Sequence, residues 1–342
     1  SYDDFINYLK DIRDKEPSAL GKDKLGILDM ESGYVELHGV IRNLWNPYVG
    51  MYVKQDGKYV WGTALPETLQ ALKDLQKMYK EGLIPPDFYT YKMNEGSNRF
   101  RAGRSAVLFS YLNPVGIQEY ADKMKQDIEG FSDEDFGIMV VKSTSGKVNS
   151  LPKLEFWAAS AYSSKISDTK MDRMLKIHDW ALSQEMIEYF AFGIPGEDWE
   201  RQGNQITLKW PKDDKGAYTL NKENGKDYIP AQRAFQKWFK LEGDDLWIPG
   251  NPFYRKNLVK LYEDAQRLKE QSGVTLIEND WKVNFLSSPN KNKYGAFIDD
   301  AKDAFTRIII SSSDIEKDWN NWLKTMEPKV KSVLDEINTS IK

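Results

Sequence analysis

Apolar residues recur along the chain at two spacings, and each spacing predicts a different element. Phe5, Leu9 and Ile12 fall on one face of a helix, which Ser1 and Asp4 open with capping-box spacing. The polar stretch Glu16 to Lys24 predicts a loop, and Leu25 to Asp29 a short strand. Tyr34 to Trp45 is mixed apolar, with His38 and Gly39 inside it. Met51-Tyr52-Val53 and Tyr59-Val60-Trp61 flank Asp56-Gly57, a hairpin signal. Pro66 then opens an amphipathic helix carrying Leu69, Leu72, Leu75 and Tyr79, which Gly82 and Pro85 stop.

Further on, Phe100 to Gly103 closes a short helix, Ser105 to Phe109 reads as a strand, and Ile117 to Lys125 as a helix. Phe136 to Val141 and Leu154 to Ser160 have the composition of buried strands. Met171 to Phe190 predicts one helix with Met174, Ile177, His178, Ala181 and Leu182 inward. Ile206 to Trp210 reads as a strand, and Ala231 to Phe239, Asn257 to Gln271 and Tyr294 to Ile309 as helices. Ser313 and Glu316 form a second capping box before a last helix carrying Ile315, Trp319, Trp322 and Met326, which resumes after Pro328. Helices outnumber strands, and the strands are short and separated by helices. This is a helix-rich α/β pattern with a mostly parallel sheet.

Composition narrows the function classes. The 342 residues suffice for about two domains, and 40% are apolar, with no run long enough to cross a membrane as a helix. There is no cysteine, which excludes disulfides, thiolate metal sites and a cysteine nucleophile. A net charge of -4 provides no field to gather nucleic acid. The unusual quantity is the 11 Trp, 18 Tyr and 15 Phe, 13% of the chain. Most such rings build cores, but an excess of this size leaves several free to line a cleft.

Catalytic motifs are missing. With only His38 and His178 there is no zinc-binding histidine pair, and neither a phosphate loop nor a nucleophile elbow occurs. His178, between Ile177 and Trp180 on a helix face, reads as structural, and His38 as packed or hydrogen-bonded. A carbohydrate-active enzyme with paired carboxylates stays open as an alternative, Glu278 and Asp280 beside Trp281 being one such grouping. No cofactor is expected.

Several segments resemble, in order, the extracellular solute-binding proteins of carbohydrate ABC importers. Ser1-Tyr2-Asp3-Asp4-Phe5 is similar to their opening "(T/S)-(W/Y)-(D/E)-E-F" helix, with Asp4 for Glu. Phe100-Arg101-Ala102-Gly103-Arg104-Ser105-Ala106-Val107 resembles "F-x-x-G-x-(A/S)-A-M", and Asp135 to Val141 a hinge strand without its closing Pro. Tyr79 to Phe88 resembles the "Y-x-E-G-L-I-x-P-x-F" signature of the large Gram-positive lipoprotein subgroup, and Tyr189 to Trp199 that subgroup's "Y-G-I-E-G" segment. The resemblance implies a two-lobe periplasmic-binding-protein type II fold that closes on a ligand. Its boundaries here would be 1–138 for the first part of lobe 2, 139–190 for the hinge strand and remaining lobe 1 segment, and 191–342 for the return to lobe 2 with a C-terminal helical region. Lobe 1 is then expected to be incomplete in this chain, the rest being supplied by a separate chain or removed by truncation. The location implied is extracellular, anchored as a lipoprotein in a Gram-positive bacterium. The partners implied are an oligosaccharide and the importer's membrane subunits; a binding protein for peptide or another polar solute is the rival. The calcium loop of many relatives corresponds to Glu16 to Lys24, which lacks alternating oxygen ligands and carries lysines, so no calcium is expected there.

Sugars offer apolar faces to aromatic rings and hydroxyl rims to polar side chains. By the layout the resemblance implies, Tyr34 supplies one aromatic wall, and Glu36 points the same way if that segment is extended. Tyr111 and Asn113 follow the strand Ser105 to Phe109. Trp45, Trp157 and Trp247 are rings with polar neighbours, and Asn43, Glu155 and Arg255 serve the hydroxyl rim, Arg255 being suited to a uronate. Trp319 and Trp322 are expected in the core.

Overall fold

The structure is a computed structural model; it describes residues 1–15, 27–110, 113–151, 161–210, 251–252, 254–277, 280–294 and 297–341. The chain forms two compact units, one of residues 1–152 with 260–342 and one of residues 153–259.

The first unit opens with α1 (Tyr2–Lys15), whose first turn is closed by Ser1 and Asp4. The Asp4 amide donates to Ser1 Oγ at 3.2 Å, and Ser1 Oγ donates back to the Asp4 carboxylate at 2.7 Å. Strand β1 (Leu28–Met30) pairs in parallel with β4 (Val107–Phe109), in the register Leu28 to Val107 and Met30 to Phe109. A parallel pair needs a long crossover. Here it contains α2 (Leu37–Leu44), the hairpin β2 (Tyr52–Gln55) and β3 (Lys58–Trp61), α3 (Pro66–Lys80) and α4 (Glu95–Arg101). Asp56 and Gly57 turn the hairpin with φ of 48° and 81°, the positive pair that a two-residue turn of matching twist requires. Pro66 starts α3, where its missing amide costs nothing.

After β4 come α5 (Pro114–Asp127) and β5 (Val148–Ser150). Strand β5 pairs in parallel with β8 (Val274–Leu276), and its Asn149 side chain donates to the Arg42 carbonyl at the end of α2 at 2.9 Å. The return continues through α9 (Trp281–Phe285), α10 (Pro289–Tyr294), α11 (Phe297–Ile310) and α12 (Ile315–Ser340). One core joins Leu9, Ile41, Leu72, Leu75, Leu83, Phe88, Phe305 and Trp319. A second lies under the hairpin and α12, through Tyr59, Trp61, Met326, Val333 and Ile337. Trp319 and Trp322 pack on each other and on Phe305, as the helical spacing predicted.

In the second unit, α6 (Asp168–Ala181) and α7 (Gln184–Phe192) precede the hairpin β6 (Trp199–Gln202) and β7 (Gln205–Leu208); α8 (Lys256–Gln271) contains the boundary between units. The Gly193 to Trp199 turn closes on itself. Gly193 has φ +93°, and a Cβ there would stand 2.3 Å from the Asp198 carboxylate, which accepts from the Ile194 amide at 2.7 Å. The Trp199 indole donates to the Gly193 carbonyl at 3.0 Å, over a small core of Phe192, Ile206 and Leu208.

Several expectations change. Tyr34 to Trp45, mixed apolar in sequence, is a 3-10 turn (Gly33–Glu36) running into α2, because its apolar positions 37, 40, 41 and 44 follow a helical period, so the condition of an extended segment placed on Glu36 is not met. Phe136 to Val141 forms no strand: only Phe136 is buried, and Met139 is 46% exposed. Met171 to Phe190 is two helices, since Ser183 caps α7 by accepting from the Met186 amide. Of its expected inner face only Ala181 is buried, while Ile177 and Leu182 are 37% and 43% exposed. Tyr294 to Ile309 likewise belongs to two helices, α10 and α11. The last helix is capped by Asp314 rather than Ser313, and it is continuous through Pro328. Sheet pairing among the described residues is two parallel and two antiparallel pairs rather than mostly parallel. Leu154 to Ser160, Ala231 to Phe239 and the Glu16 to Lys24 loop lie outside the described residues.

Candidate functional site

In α/β folds, ligands gather beyond the carboxyl ends of parallel strands, where the chain leaves the sheet and polar groups converge. Strands β1 and β4 of the first unit end side by side at Met30 and Phe109, and each is followed at once by a polar residue, Glu31 and Ser110. Ser110 Oγ donates to the Glu31 carboxylate at 2.8 Å. The Glu31 backbone is fixed from both sides. Its amide donates to the Phe109 carbonyl at 3.3 Å, and its carbonyl accepts from the Gly96 and Ser97 amides at the start of α4, at 3.0 and 3.4 Å. That approach demands glycine at 96, where a Cβ would fall 1.9 Å from the Met30 carbonyl oxygen.

The chain then turns through Gly33, at φ +60°, where a Cβ would meet the Phe88 carbonyl at 2.1 Å. The 3-10 turn that follows carries Tyr34 and Glu36, both half-buried, with Tyr34 packed against the core. Glu36 lies against Gly39 and Phe109: a Cβ on Gly39 would be 3.7 Å from Glu36 Oε2 and 3.2 Å from the Phe109 ring. Burial pushes the Glu36 carboxyl above its ordinary range and the neighbouring Glu31 adds to this, while Lys302 acts the other way. Asn113 is the N-cap of α5, its side-chain oxygen accepting from the Gly116 amide at 2.8 Å. Below them Tyr120 meets the Ser97 hydroxyl at 3.1 Å and packs edge-on against Phe100.

Of the ten residues the sequence singles out, the structure describes Tyr34, Glu36, Asn43, Trp45, Asn113 and Arg255, and of these Glu36 lies against the Phe109 ring at the end of β4. Tyr34 and Glu36 arrive by a 3-10 turn rather than by strand alternation. Asn43 donates to the Gly39 carbonyl at 2.8 Å, one helical turn back. Trp45 is a core residue, 3% exposed, edge-on to Tyr2, with its indole donating to Asp74 at 2.8 Å. Its place in the core corrects the expectation of a loop ring beside the cleft. Arg255 stands in the second unit, half-buried at the start of α8, where its carbonyl accepts from the Leu258 and Val259 amides. Tyr111, Glu155, Trp157 and Trp247 lie outside the described residues.

Sequence reasoning missed Glu31 and Ser110, although the rule that singled out Tyr111 after one strand points equally to Glu31 after its partner. It also passed over an exposed ring pair. Trp281 and Phe285, on one face of α9, stack at 5.7 Å with 47% and 78% of their surfaces open. Asp280 accepts from the Tyr59 hydroxyl and caps α9 through the Lys282 amide at 2.9 Å, so this carboxylate is engaged in structure; Glu278 lies outside the described residues.

Two other polar places differ in kind. A groove of about 480 Å³ between α1 and α3 is lined by Tyr2, Lys10, Asp74, Lys77 and Glu81. Its charges are largely spent internally, with Tyr2 donating to Asp74 at 3.3 Å and Lys10 paired with Glu81 at 3.3 Å. His38 is buried against Phe305 and held neutral by burial, its pKa lowered to about 3, with Lys302 and Arg42 adding to the effect. His178 meets the Tyr162 hydroxyl, a structural contact. No cluster of metal-ligating side chains occurs among the described residues.

No family model matches the chain, and no curated protein matches it. Among solved structures, 98% of the chain superposes on 67% of an alginate-binding protein, AlgQ2, solved without calcium ion, with TM-score 0.55 and 13% identity. In a second case, 99% of the chain superposes on 69% of an HMO-binding, ABC-transporter-associated solute-binding protein from Bifidobacterium longum infantis, with TM-score 0.51 and 15% identity. The chain has the fold of two-lobe solute-binding proteins. It spans about two-thirds of the length of each of these neighbours.

Proposed function

We propose that the chain is the ligand-binding portion of an exported solute-binding protein, which captures an oligosaccharide and delivers it to an ABC-type importer without chemical turnover. The observation that favours this reading is the pair of strand ends at β1 and β4, where Ser110 donates to the Glu31 carboxylate and Glu36 lies against the Phe109 ring. Hydroxyl-bearing ligands need fixed acceptors and a ring to lie against, and these strand ends hold both on rigid elements. Both neighbours of this fold are named for carbohydrate ligands, which favours sugar over peptide. A lipid-anchored location outside a Gram-positive cell, and pairing with importer membrane subunits, follow from the same reading. So does the expectation that Tyr111, Glu155, Trp157 and Trp247 face ligand.

Intrinsic tryptophan fluorescence of the chain, titrated with an oligosaccharide panel and a peptide panel, tests it. A saturable shift with a glycan, weakened by Glu31→Gln or Ser110→Ala, is expected, with no product formed on long incubation. A response to peptides alone would overturn the sugar reading. Hydrolysis abolished by a single carboxylate change would make the chain an enzyme.

A further inference from the structure

We propose that the face of α9 bearing Trp281 and Phe285 docks on an anionic lipid bilayer surface. The two rings stack at 5.7 Å with 24° between their planes, and 47% and 78% of their surfaces are open. The core does not need them. Helix α9 meets it through Val283, which packs with Tyr59, Met326 and Val333 under the hairpin and α12. This face therefore belongs to the second core of the unit, whereas the strand ends at Met30 and Phe109 border the first.

Charge singles out the occupant. The chain carries a net charge of -4, yet residues 281–298 hold Lys282, Lys291 and Lys293 and no Asp or Glu. Lys282 and Lys293 are exposed. The Lys291 ammonium sits at the end of α9, donating to the Asn284 and Leu286 carbonyls at 2.7 and 3.4 Å. At the start of α9, Lys54 lies over the Tyr59 ring at 5.7 Å, and the Tyr59 hydroxyl donates to Asp280. Both carboxylates that touch this region are engaged. Asp280 accepts from Tyr59 and from the Lys282 amide at 2.9 Å, and Glu336 accepts from the Asn290 side chain and amide at 2.7 and 3.1 Å. Four lysines against those two carboxylates leave the face cationic among the described residues. Rings of this kind settle at the headgroup level of a bilayer, and lysines beside them gain from anionic lipid. A sugar lying on the rings would need acceptors for its hydroxyls, and the two carboxylates here are already in use.

The test is co-sedimentation of the chain with vesicles of phosphatidylcholine alone and of phosphatidylcholine mixed with phosphatidylglycerol, at low and high salt. It is repeated on the double variant Trp281→Ser, Phe285→Ser and on Lys282→Glu, with thermal unfolding as a check on folding. The expected result is binding to the mixed vesicles, at least roughly tenfold weaker to phosphatidylcholine alone or in high salt. The double variant should lose binding by a similar factor while unfolding at the parent's temperature. If it does not fold, Lys282→Glu decides, since it keeps both rings and should weaken binding to the mixed vesicles alone. No binding to the mixed vesicles, equal binding to both compositions, or binding that the folded variants leave untouched would overturn the proposal. So would vesicle binding that requires reconstituted importer subunits, which would make the face a protein contact, or a fluorescence response to an oligosaccharide that Trp281→Ser abolishes. No glycan enters the vesicle assay, so its failure leaves the carbohydrate reading of the strand ends standing.

Discussion

Two carboxylates on one short stretch of chain meet opposite fates. Asp29, in the middle of β1, is fully buried, 3.3 Å from the Arg99 guanidinium, with the Ser105 and Tyr91 hydroxyls beside it. Arg99 also reaches Asp87 at 3.2 Å and lies over the Tyr91 ring at 4.9 Å. Glu31, two residues on, is half-exposed and accepts from Ser110 at the strand end. Asp29 ties α4 to the sheet, whereas Glu31 keeps acceptor capacity for something outside the chain. What separates them is position relative to the end of the strand, since the residue types are nearly the same. Within the strand a charge must be paired, because burial without a partner costs several kcal/mol. Past its end the chain turns out of the sheet at Gly33, and Glu31 is left half-exposed.

The largest effect should come from breaking the buried side. Asp29→Ala leaves Arg99 with half its partners, and chemical denaturation should show a loss of about 3–5 kcal/mol. A loss under about 1 kcal/mol would mean that the pair is not a structural tie.

The next effect concerns pH. Burial pushes the Asp29 carboxyl up to about 6 despite Arg99, so between pH ~4 and 6 the folded chain holds a proton that the unfolded chain has released. That contribution to stability is present at low pH and is lost as pH rises toward 6. His38 runs the other way. With its pKa lowered to about 3 it stays neutral when folded, while the unfolded chain protonates below ~6.5, so its contribution is lost as pH falls. The two offset each other between pH ~4 and 6. Relative to the parent chain, Asp29→Asn should tilt the stability–pH curve upward with pH, and His38→Gln downward. Each tilt should be about 1.4 kcal/mol per pH unit. Parallel curves for all three proteins would contradict this pairing of opposite shifts.

The smallest stability effect belongs to the open side. Glu31→Gln and Glu36→Gln should change unfolding free energy by no more than about 0.5 kcal/mol, as at other partly exposed positions, since the amide oxygen that Glu31→Gln leaves can still accept from Ser110. If either cost as much as Asp29→Ala, the contrast between a structural and an available carboxylate would fail.

Much of this architecture was legible in the sequence where local signals and tertiary packing agree. The Asp56-Gly57 hairpin, the helix from Pro66, and the core face of Trp319, Met326, Val330 and Ile337 follow from turn chemistry and period alone. Phe136 to Val141 misled because a run of apolar residues reads as a strand whether or not a partner strand lies beside it. Trp45 misled because the group that receives its indole proton, Asp74, is distant in sequence and visible only once α3 packs. The candidate site was less legible. Tyr34, Glu36 and Asn113 come from the resemblance to carbohydrate-binding proteins, whereas the contact between Ser110 and Glu31 emerges only from the pairing of β1 with β4, although each residue lies just past a strand candidate.

The most direct test of the central claim is a hydrogen-exchange footprint of the chain with and without a saturating oligosaccharide. Protection is predicted at the amides of residues 31–39 and 110–117, around the ends of β1 and β4. Glycan-induced protection confined to other segments, such as the α1–α3 groove or the Trp281–Phe285 face, would contradict the placement of the site.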